Sequence, residues 1–327
     1  MKKLVDRFGR LHTYLRISVT DRCNLRCVYC MPTEGIKWKE KEEILTFEEI
    51  FRLARIFVSV GITKIRITGG EPTVRKDIEK LIAKLRELPG LETLAMTTNG
   101  ITLKDHAVSL KNAGLSALNI SLDTLKQDRY IEIAKRDHLN NVLIGIGAAL
   151  ALGFYPLKLN VVIIGGVNDD EIIDFVNFIK DKPINIRFIE FMPFKHNGWD
   201  YKKVFPYAKI KEKIQDHYEL IPIKCEPSAV AKDYCIEGFR GSVSFITSMS
   251  DSFCGSCNRI RLTADGSIKS CLFSLPEVNL RNALRASKSD EIISSMIEYA
   301  LSLKEEAHPS VDRLATIENQ SMIQIGG

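Results

Sequence analysis

Between about residues 16 and 192 the chain alternates two rhythms. Short runs with every second residue apolar are followed by stretches whose apolar residues recur every three or four positions. The first rhythm predicts strands and the second amphipathic helices. Strands are expected at Arg16–Thr20, Lys64–Thr68, Glu92–Thr98, Ala117–Asp123, Leu157–Ile163 and Asn185–Met192. The first helix between them is well marked. Thr46 and Glu49 form a capping box, Ile50, Leu53, Ala54, Phe57 and Val58 share one face, and Gly61 ends it. Another is expected from Asp169–Asp170, burying Ile172, Ile173, Val176 and Ile179. Strands separated by helices read as βαβ units on a parallel sheet. Six such units predict an α/β fold, an incomplete (β/α)6 TIM-like barrel.

Parallel strands are usually apolar on both faces, and these are not. Arg16, Ser18 and Thr20 alternate with Ile17 and Val19, and Lys64, Arg66 and Thr68 with Ile65 and Ile67. Asn119, Ser121 and Asp123 alternate with Leu118, Ile120 and Leu122, and Lys158 and Asn160 with Leu157, Leu159 and Val161. If the apolar faces meet the helices, the polar faces line the concave side, which predicts a cavity for a polar, anionic ligand. An antiparallel sheet with one wet face is the alternative, and the helical connections weigh against it. After about Phe205 the pattern changes to a helix at Tyr207–Asp216, short strands such as Ser242–Ser248 and a cysteine-rich stretch. A helix at Asp290–Lys304 follows, with Ile292, Ile293, Met296, Ile297 and Ala300 on its apolar face. Two units are therefore expected: residues 1–205 as the barrel, and 206–327 as a smaller α+β layer closing its open side.

A chain of 327 residues, 45% hydrophobic, can bury a large core. No apolar run approaches the length of a membrane span and the polar start lacks a signal-peptide core, so a cytoplasmic location is expected. The net charge of +5 is spread without a basic block, which favours a small anion over nucleic acid or a membrane. Eight cysteines in a reducing compartment point to metal ligation more than to disulfides.

Three of these stand at Cys23, Cys27 and Cys30. Thiolates at this spacing can hold three corners of a [4Fe–4S] cube and leave the fourth iron open to an exchangeable ligand. A zinc site would want a fourth ligand, for which His12 is a remote candidate. One βα unit later comes Gly69-Gly70-Glu71-Pro72, where glycines allow close backbone approach and Glu71 with nearby carbonyls can receive an ammonium group. Cys254, Cys257 and Cys271 form a second trio, for which zinc stays open on spacing alone. Between these ligands Arg259 and Arg261 alternate as on a strand, sending two forked cations to one side, an arrangement suited to a polyphosphate. Cys225 and Cys235 read as incidental, small buried hydrophobes.

The first trio with Tyr29, followed by Gly-Gly-Glu-Pro, resembles the radical S-adenosylmethionine superfamily. The second trio adds Asn258-Arg259-Ile260-Arg261 and the terminal Gly326-Gly327, and elsewhere stand Ser121-Leu122-Asp123-Thr124-Leu125, Gly166-Val167-Asn168-Asp169-Asp170 and Phe191-Met192-Pro193. With these the chain resembles, over nearly its whole length, the branch of that superfamily that cyclises GTP at the first step of molybdenum cofactor biosynthesis. The resemblance implies two [4Fe-4S] clusters, one on each trio, and S-adenosyl-L-methionine held by Tyr29, Gly70, Ser121 and Met192. It implies GTP contacts at Arg16, Arg66, Thr97, Lys158, Arg259 and Arg261. The implied reaction removes hydrogen from C3′ of GTP with a 5′-deoxyadenosyl radical, and C3′ then attacks C8 to give (8S)-3′,8-cyclo-7,8-dihydroguanosine 5′-triphosphate. Arg16 is then a candidate donor to the late radical, and Gly326 and Gly327 form a tail reaching the site. A flavodoxin- or ferredoxin-type electron donor, hand-off to cyclic pyranopterin synthase and a homodimer fit the same picture. Thr73 departs from the family's usual apolar residue, and the stretch from Phe273 to Val278 is less typical. Two other readings stay open. A twin-cluster peptide-modifying enzyme predicts a longer cysteine-rich C-terminal region, and an iron–sulfur electron carrier predicts four cysteines per cluster.

Overall fold

The computed structural model describes residues 3–32, 35–316 and 319–326. All six expected strands form: β1 (Tyr14–Ser18), β2 (Lys64–Thr68), β3 (Thr93–Thr98), β4 (Ala117–Ser121), β5 (Leu157–Ile163) and β6 (Ile184–Glu190). Each pairs in parallel with the next, as helical crossovers require. The crossovers are α1 (Phe47–Ser59), α2 (Ile78–Arg86), α3 (Leu103–Asn112), α4 (Gln127–Ala134), α5 (Leu139–Ala151) and α6 (Ile172–Phe178). At the start of α1, Thr46 Oγ1 accepts from the Glu49 N–H and the Glu49 carboxylate accepts from the Thr46 N–H, closing the capping box. In α6, Ile173 is only half-buried and Phe175 takes the inner place. There Phe175 meets Phe188 of β6 edge-on at 6.5 Å. Truncating Phe188, which is 1% exposed, would cost about 3–5 kcal/mol.

The remaining elements are α7 (Tyr207–Gln215), β7 (Ile221–Pro222), β8 (Lys232–Cys235), β9 (Ser242–Ile246), β10 (Arg259–Leu262), β11 (Ser267–Lys269), β12 (Val278–Asn279), α8 (Leu280–Arg285), α9 (Asp290–Ser302), α10 (Val311–Thr316) and α11 (Met322–Ile325). Their strands lengthen the same sheet at both edges. β10 joins β1 in parallel, β9 joins β6 in parallel, and antiparallel partners complete each rim. The order is β12-β11-β10-β1-β2-β3-β4-β5-β6-β9-β8-β7, so the barrel stays open and the C-terminal α+β part reaches its open side from both edges. In α9 the buried stripe is Ile293, Ile297, Ala300 and Leu301, whereas Ile292, expected inside, is 46% exposed. One residue is about 100° of helix, enough to turn Ile292 away from the sheet. No helix among the described residues is long and apolar enough to cross a membrane.

Candidate active site

The polar strand positions meet on the concave side around a cavity of about 710 Å³. Register sets them side by side: Arg261 of β10 beside Arg16 of β1, and Arg16 beside Arg66 of β2. On the other half Asn119 adjoins Lys158 and Asn160 adjoins Arg187. Both cysteine trios line this one cavity, as do Tyr29, Gly70, Ser121 and Met192, and Arg16, Arg66, Thr97, Lys158, Arg259 and Arg261.

The first trio sits on the loop leaving β1. Its last turn is tied by the N–H groups of Cys30 and Met31, both donating to the Cys27 carbonyl at 3.0 Å. The Gly-Gly turn after β2 is pressed onto this loop. Gly70 N–H donates to Thr20 O at 2.7 Å, Glu71 N–H donates to Arg22 O at 2.8 Å, and a Cβ on Gly70 would lie 2.3 Å from the Arg22 carbonyl oxygen. The glycine therefore serves close packing of two loops. Buried Glu71 accepts from the N–H and hydroxyl of Thr73, the hydroxyl of Thr98 and the N–H of Asn99. Its carboxylate is committed to the protein, which leaves the turn's carbonyls for an ammonium ligand. Thr73, the atypical residue, is one of its anchors.

Burial pushes the thiols of this trio up, Cys23 to about 11 and Cys30 to about 12, and neighbouring thiols and Asp123 add to the effect on Cys30. Cys27 rises too. Three cysteines on one loop beside the cavity form a donor set that suits an iron–sulfur cluster, which would hold them as thiolates. Next to them the Tyr29 hydroxyl donates to Asp123 at 2.6 Å, and burial raises Asp123 to about 6.

The second trio lines the same cavity as the first. Arg259 donates to Cys257 Sγ at 3.4 Å. Burial pushes Cys257 up, but Arg259 and Lys304 outweigh it and hold the thiol at about 7. Among the described residues no three His, Cys, Asp or Glu side chains gather around a single-ion site. Three thiols lining one cavity are a donor set that an iron–sulfur cluster accepts. His12 is fully buried against Asp6 at 3.0 Å and lines none of the cavity, so it is no ligand candidate.

Crowded cations dominate the floor. Burial lowers Arg16, Arg187 and Arg261, the last two to about 10, with neighbouring arginines adding to it. Lys158 falls to about 8 through burial and Arg187. Tyr14 would rise by burial, yet Arg66, Arg16 and Lys64 pull it down to about 7. Arg187 Nε and Asn119 Oδ1 are buried with no hydrogen-bond partner among the described residues, as expected of groups built for a polar ligand. Arg187 and Tyr14 are additions to the expected site, and Lys64 joins it from the polar face expected of β2. Arg187 was detectable, since it alternates with Ile184, Ile186 and Phe188. Cys225 is half-buried in the cavity wall and Cys235 half-buried on β8, so neither is a buried hydrophobe.

The tail packs against side chains of β1, β2 and β10. Gly326 is buried at φ +87°, its carbonyl accepts from Thr68 Oγ1 at 3.2 Å and from Arg261 at 3.3 Å, and a Cβ there would lie 2.4 Å from Ser18 Cβ. Gly327 lies outside the described residues.

An open parallel barrel with a cysteine trio after β1 and a Gly-Gly-Glu turn after β2 defines the radical S-adenosylmethionine class. The Radical SAM superfamily model matches residues 17–179, and the Molybdenum Cofactor Synthesis C model matches 184–310. Over 99% of its length the chain is 51% identical to a mitochondrial GTP 3′,8-cyclase of Arabidopsis thaliana, covering 83% of that protein. It is 45% identical to the GTP 3′,8-cyclase of Alkaliphilus metalliredigens, over 98% of this chain and 99% of that one. Human molybdenum cofactor biosynthesis protein 1 is 46% identical over 98% of this chain, which spans about half (51%) of that longer protein. The chain belongs to the radical S-adenosylmethionine superfamily and, within it, to the GTP 3′,8-cyclase family of molybdenum cofactor biosynthesis. Streptococcus suis SuiB bound to S-adenosylmethionine shares the fold, with a TM-score of 0.60 at 16% identity over 89% of this chain and 69% of that one. So does anSMEcpe with bound AdoMet and a Cp18Cys peptide, with a TM-score of 0.58 at 16% identity over 93% and 84%.

Proposed function

We propose that this enzyme cyclises GTP with two [4Fe–4S] clusters, one on Cys23, Cys27 and Cys30 and one on Cys254, Cys257 and Cys271. The observation that carries the proposal is that both trios open onto one cavity whose floor is a row of adjoining guanidinium groups. S-adenosylmethionine, held at the first trio, supplies a hydrogen-abstracting carbon radical when bound. The chain's own residues do the rest. Tyr29 is fixed by Asp123, and with Gly70, Ser121 and Met192 it forms the wall on that side. Arg16, Arg66 and Arg261 hold the polyphosphate with Lys64, Lys158 and Arg187, and the repulsion among these cations is relieved as the anion arrives. Thr97 and Arg259 complete the contacts, the latter beside the second trio, where the guanine base is held. Fixing both ends of GTP removes its freedom relative to the first trio, which is the main contribution a protein makes to such chemistry. Arg16 stands centrally enough to donate a proton or hydrogen bond late in the reaction, and the Gly326 carbonyl holds Arg261 beside the cavity.

A one-electron donor of flavodoxin or ferredoxin type, a homodimer and hand-off of product to cyclic pyranopterin synthase complete the proposal. The peptide-modifying and electron-carrier readings give no use for the row of cations. Anaerobic reconstitution followed by incubation with GTP, S-adenosylmethionine and dithionite tests the reading. It expects about eight irons per chain and a cyclised nucleotide. Zinc at the second trio, about four irons, or GTP left unchanged would overturn it.

A further inference from the structure

Every cysteine of the second trio is tied to one of two buried cations that lie outside the cavity. Lys304, just past the end of α9, turns inward and is 3% exposed. An ammonium has three protons to give, and three acceptors surround this one. They are the carbonyl oxygens of Ser270 at 2.7 Å and Arg259 at 2.9 Å, and Cys257 Sγ at 3.4 Å. Ser270 immediately precedes Cys271, and Arg259 stands two residues after Cys257. A single side chain thus pins the backbone beside two of the cysteines and touches the sulfur of one.

Arg10 serves the third. Its guanidinium donates to the carbonyl of Cys254 at 2.8 Å and to those of Glu305 at 2.8 Å and Glu306 at 2.5 Å, while Nε is held by Asp6 at 2.6 Å. Asp6 is itself fixed by the N–H groups of Phe8 and Arg10 and by His12. Both cations therefore converge on residues 304–306, one by belonging to that segment and the other by gripping it. The network joins the N-terminal hook, the end of α9 and all three cysteine arms.

A spacer in this place would not need charge, because an apolar side chain fills a buried gap at lower cost than an ammonium. One of the three acceptors of Lys304 is the Cys257 sulfur itself, which an apolar side chain would leave without a donor. At the first trio the corresponding contacts to sulfur are neutral, the Leu25 N–H at 3.4 Å and the Asn99 amide at 4.0 Å from Cys23 Sγ. Hydrogen bonds and positive charge at a ligating sulfur favour the reduced, more negative cluster.

We propose that Lys304 and Arg10 are positioning residues that pre-form the second cysteine trio and bias the cluster it holds toward reduction, a role that rests on the two-cluster reading above. The test compares wild type with Lys304→Met and Arg10→Gln, each as the full chain. In the iron-free protein, amide exchange within 254–259 and 269–272 is expected to rise about tenfold in each variant, with the first trio's loop and the sheet unchanged. After anaerobic reconstitution the iron content of each variant falls from the wild-type value toward that of a single cluster. Any second cluster retained by Lys304→Met titrates at a more negative midpoint potential in its electron paramagnetic resonance signal, the first cluster's potential staying put. Should Lys304→Met fail to fold, Arg10→Gln decides by the same exchange and iron measurements. Wild-type exchange and iron content in the variants overturn the proposal, and so does exchange raised equally across the whole sheet, which would mark a general scaffold role. If wild type itself binds only one cluster, the two-cluster reading fails, and local exchange in the iron-free chain still decides whether the two cations order the trio.

Discussion

Replacing Gly326 with alanine tests whether the tail is part of the site. Two costs fall on the docked tail. Gly326 sits at φ +87°, where a Cβ costs about 1–2 kcal/mol. The same Cβ would lie 2.4 Å from Ser18 Cβ, against an ordinary carbon contact of about 3.5–4.0 Å. Overpacking of that kind adds about 1–3 kcal/mol. Undocking relieves both at the expense of the hydrogen bonds from Thr68 and Arg261, about 0.5–1.5 kcal/mol each. A penalty of about 3 kcal/mol lowers the docked-to-undocked ratio on the order of a hundredfold. The assay measures GTP cyclisation and S-adenosylmethionine cleavage separately, with amide exchange at residues 321–326 reporting docking. The two hydrogen bonds favour docking about 5- to 150-fold, so cyclisation should fall about two- to twentyfold, with iron content unchanged and tail protection reduced. Ser18→Gly in the same chain removes the opposing atoms and should restore most of the lost cyclisation. Gly326→Ala with wild-type turnover and a protected tail would refute the reasoning.

Gly70→Ala places a methyl group 2.3 Å from the Arg22 carbonyl oxygen and should displace the first trio's loop; iron analysis is expected to show loss of about four irons with the second cluster retained. Arg187→Met removes a buried cation with an unused Nε–H, and anaerobic calorimetry should find GTP binding about 10–100-fold weaker, with S-adenosylmethionine binding little changed. The empty protein should also gain stability as pH rises from about 7 to 9. Over that window folded Lys158 and Lys269, each lowered to about 8, and Tyr14, lowered to about 7, hold fewer protons than in the unfolded chain. Stability rises with pH wherever the unfolded state binds more protons. Bound GTP restores the protons of Lys158 and Tyr14, which line the cavity, and should reduce the slope, which thermal melts with and without GTP will show.

Much of the barrel was legible because each strand had to present one face to helices and the other to a charged ligand, so a period of two survived in a parallel sheet. That constraint gave β2 and β5 to the residue and the polar lining almost entirely. Arg187 carries the same signal, alternating with Ile186 and Phe188 on β6. The extension of the sheet by β9 and β10 was not legible, since strands far apart in the chain carry no local mark of their partners. Cys225 entered the cavity wall through an irregular loop, where periodicity says nothing about burial. Lys304 closes the helix expected from Asp290, a place where cations are usually solvated; its hydrogen bonds to Arg259 O and Ser270 O hold it inside instead. Both cysteine trios could be read because cluster ligands are spaced along the chain as well as in space.

GTP deuterated at C3′, incubated anaerobically with the reconstituted enzyme, S-adenosylmethionine and dithionite, tests the central claim most directly. The account predicts deuterium in 5′-deoxyadenosine, matched mole for mole by a 3′,8-cyclised nucleotide. Unlabelled 5′-deoxyadenosine formed at the same rate without GTP, and GTP recovered intact, would contradict it.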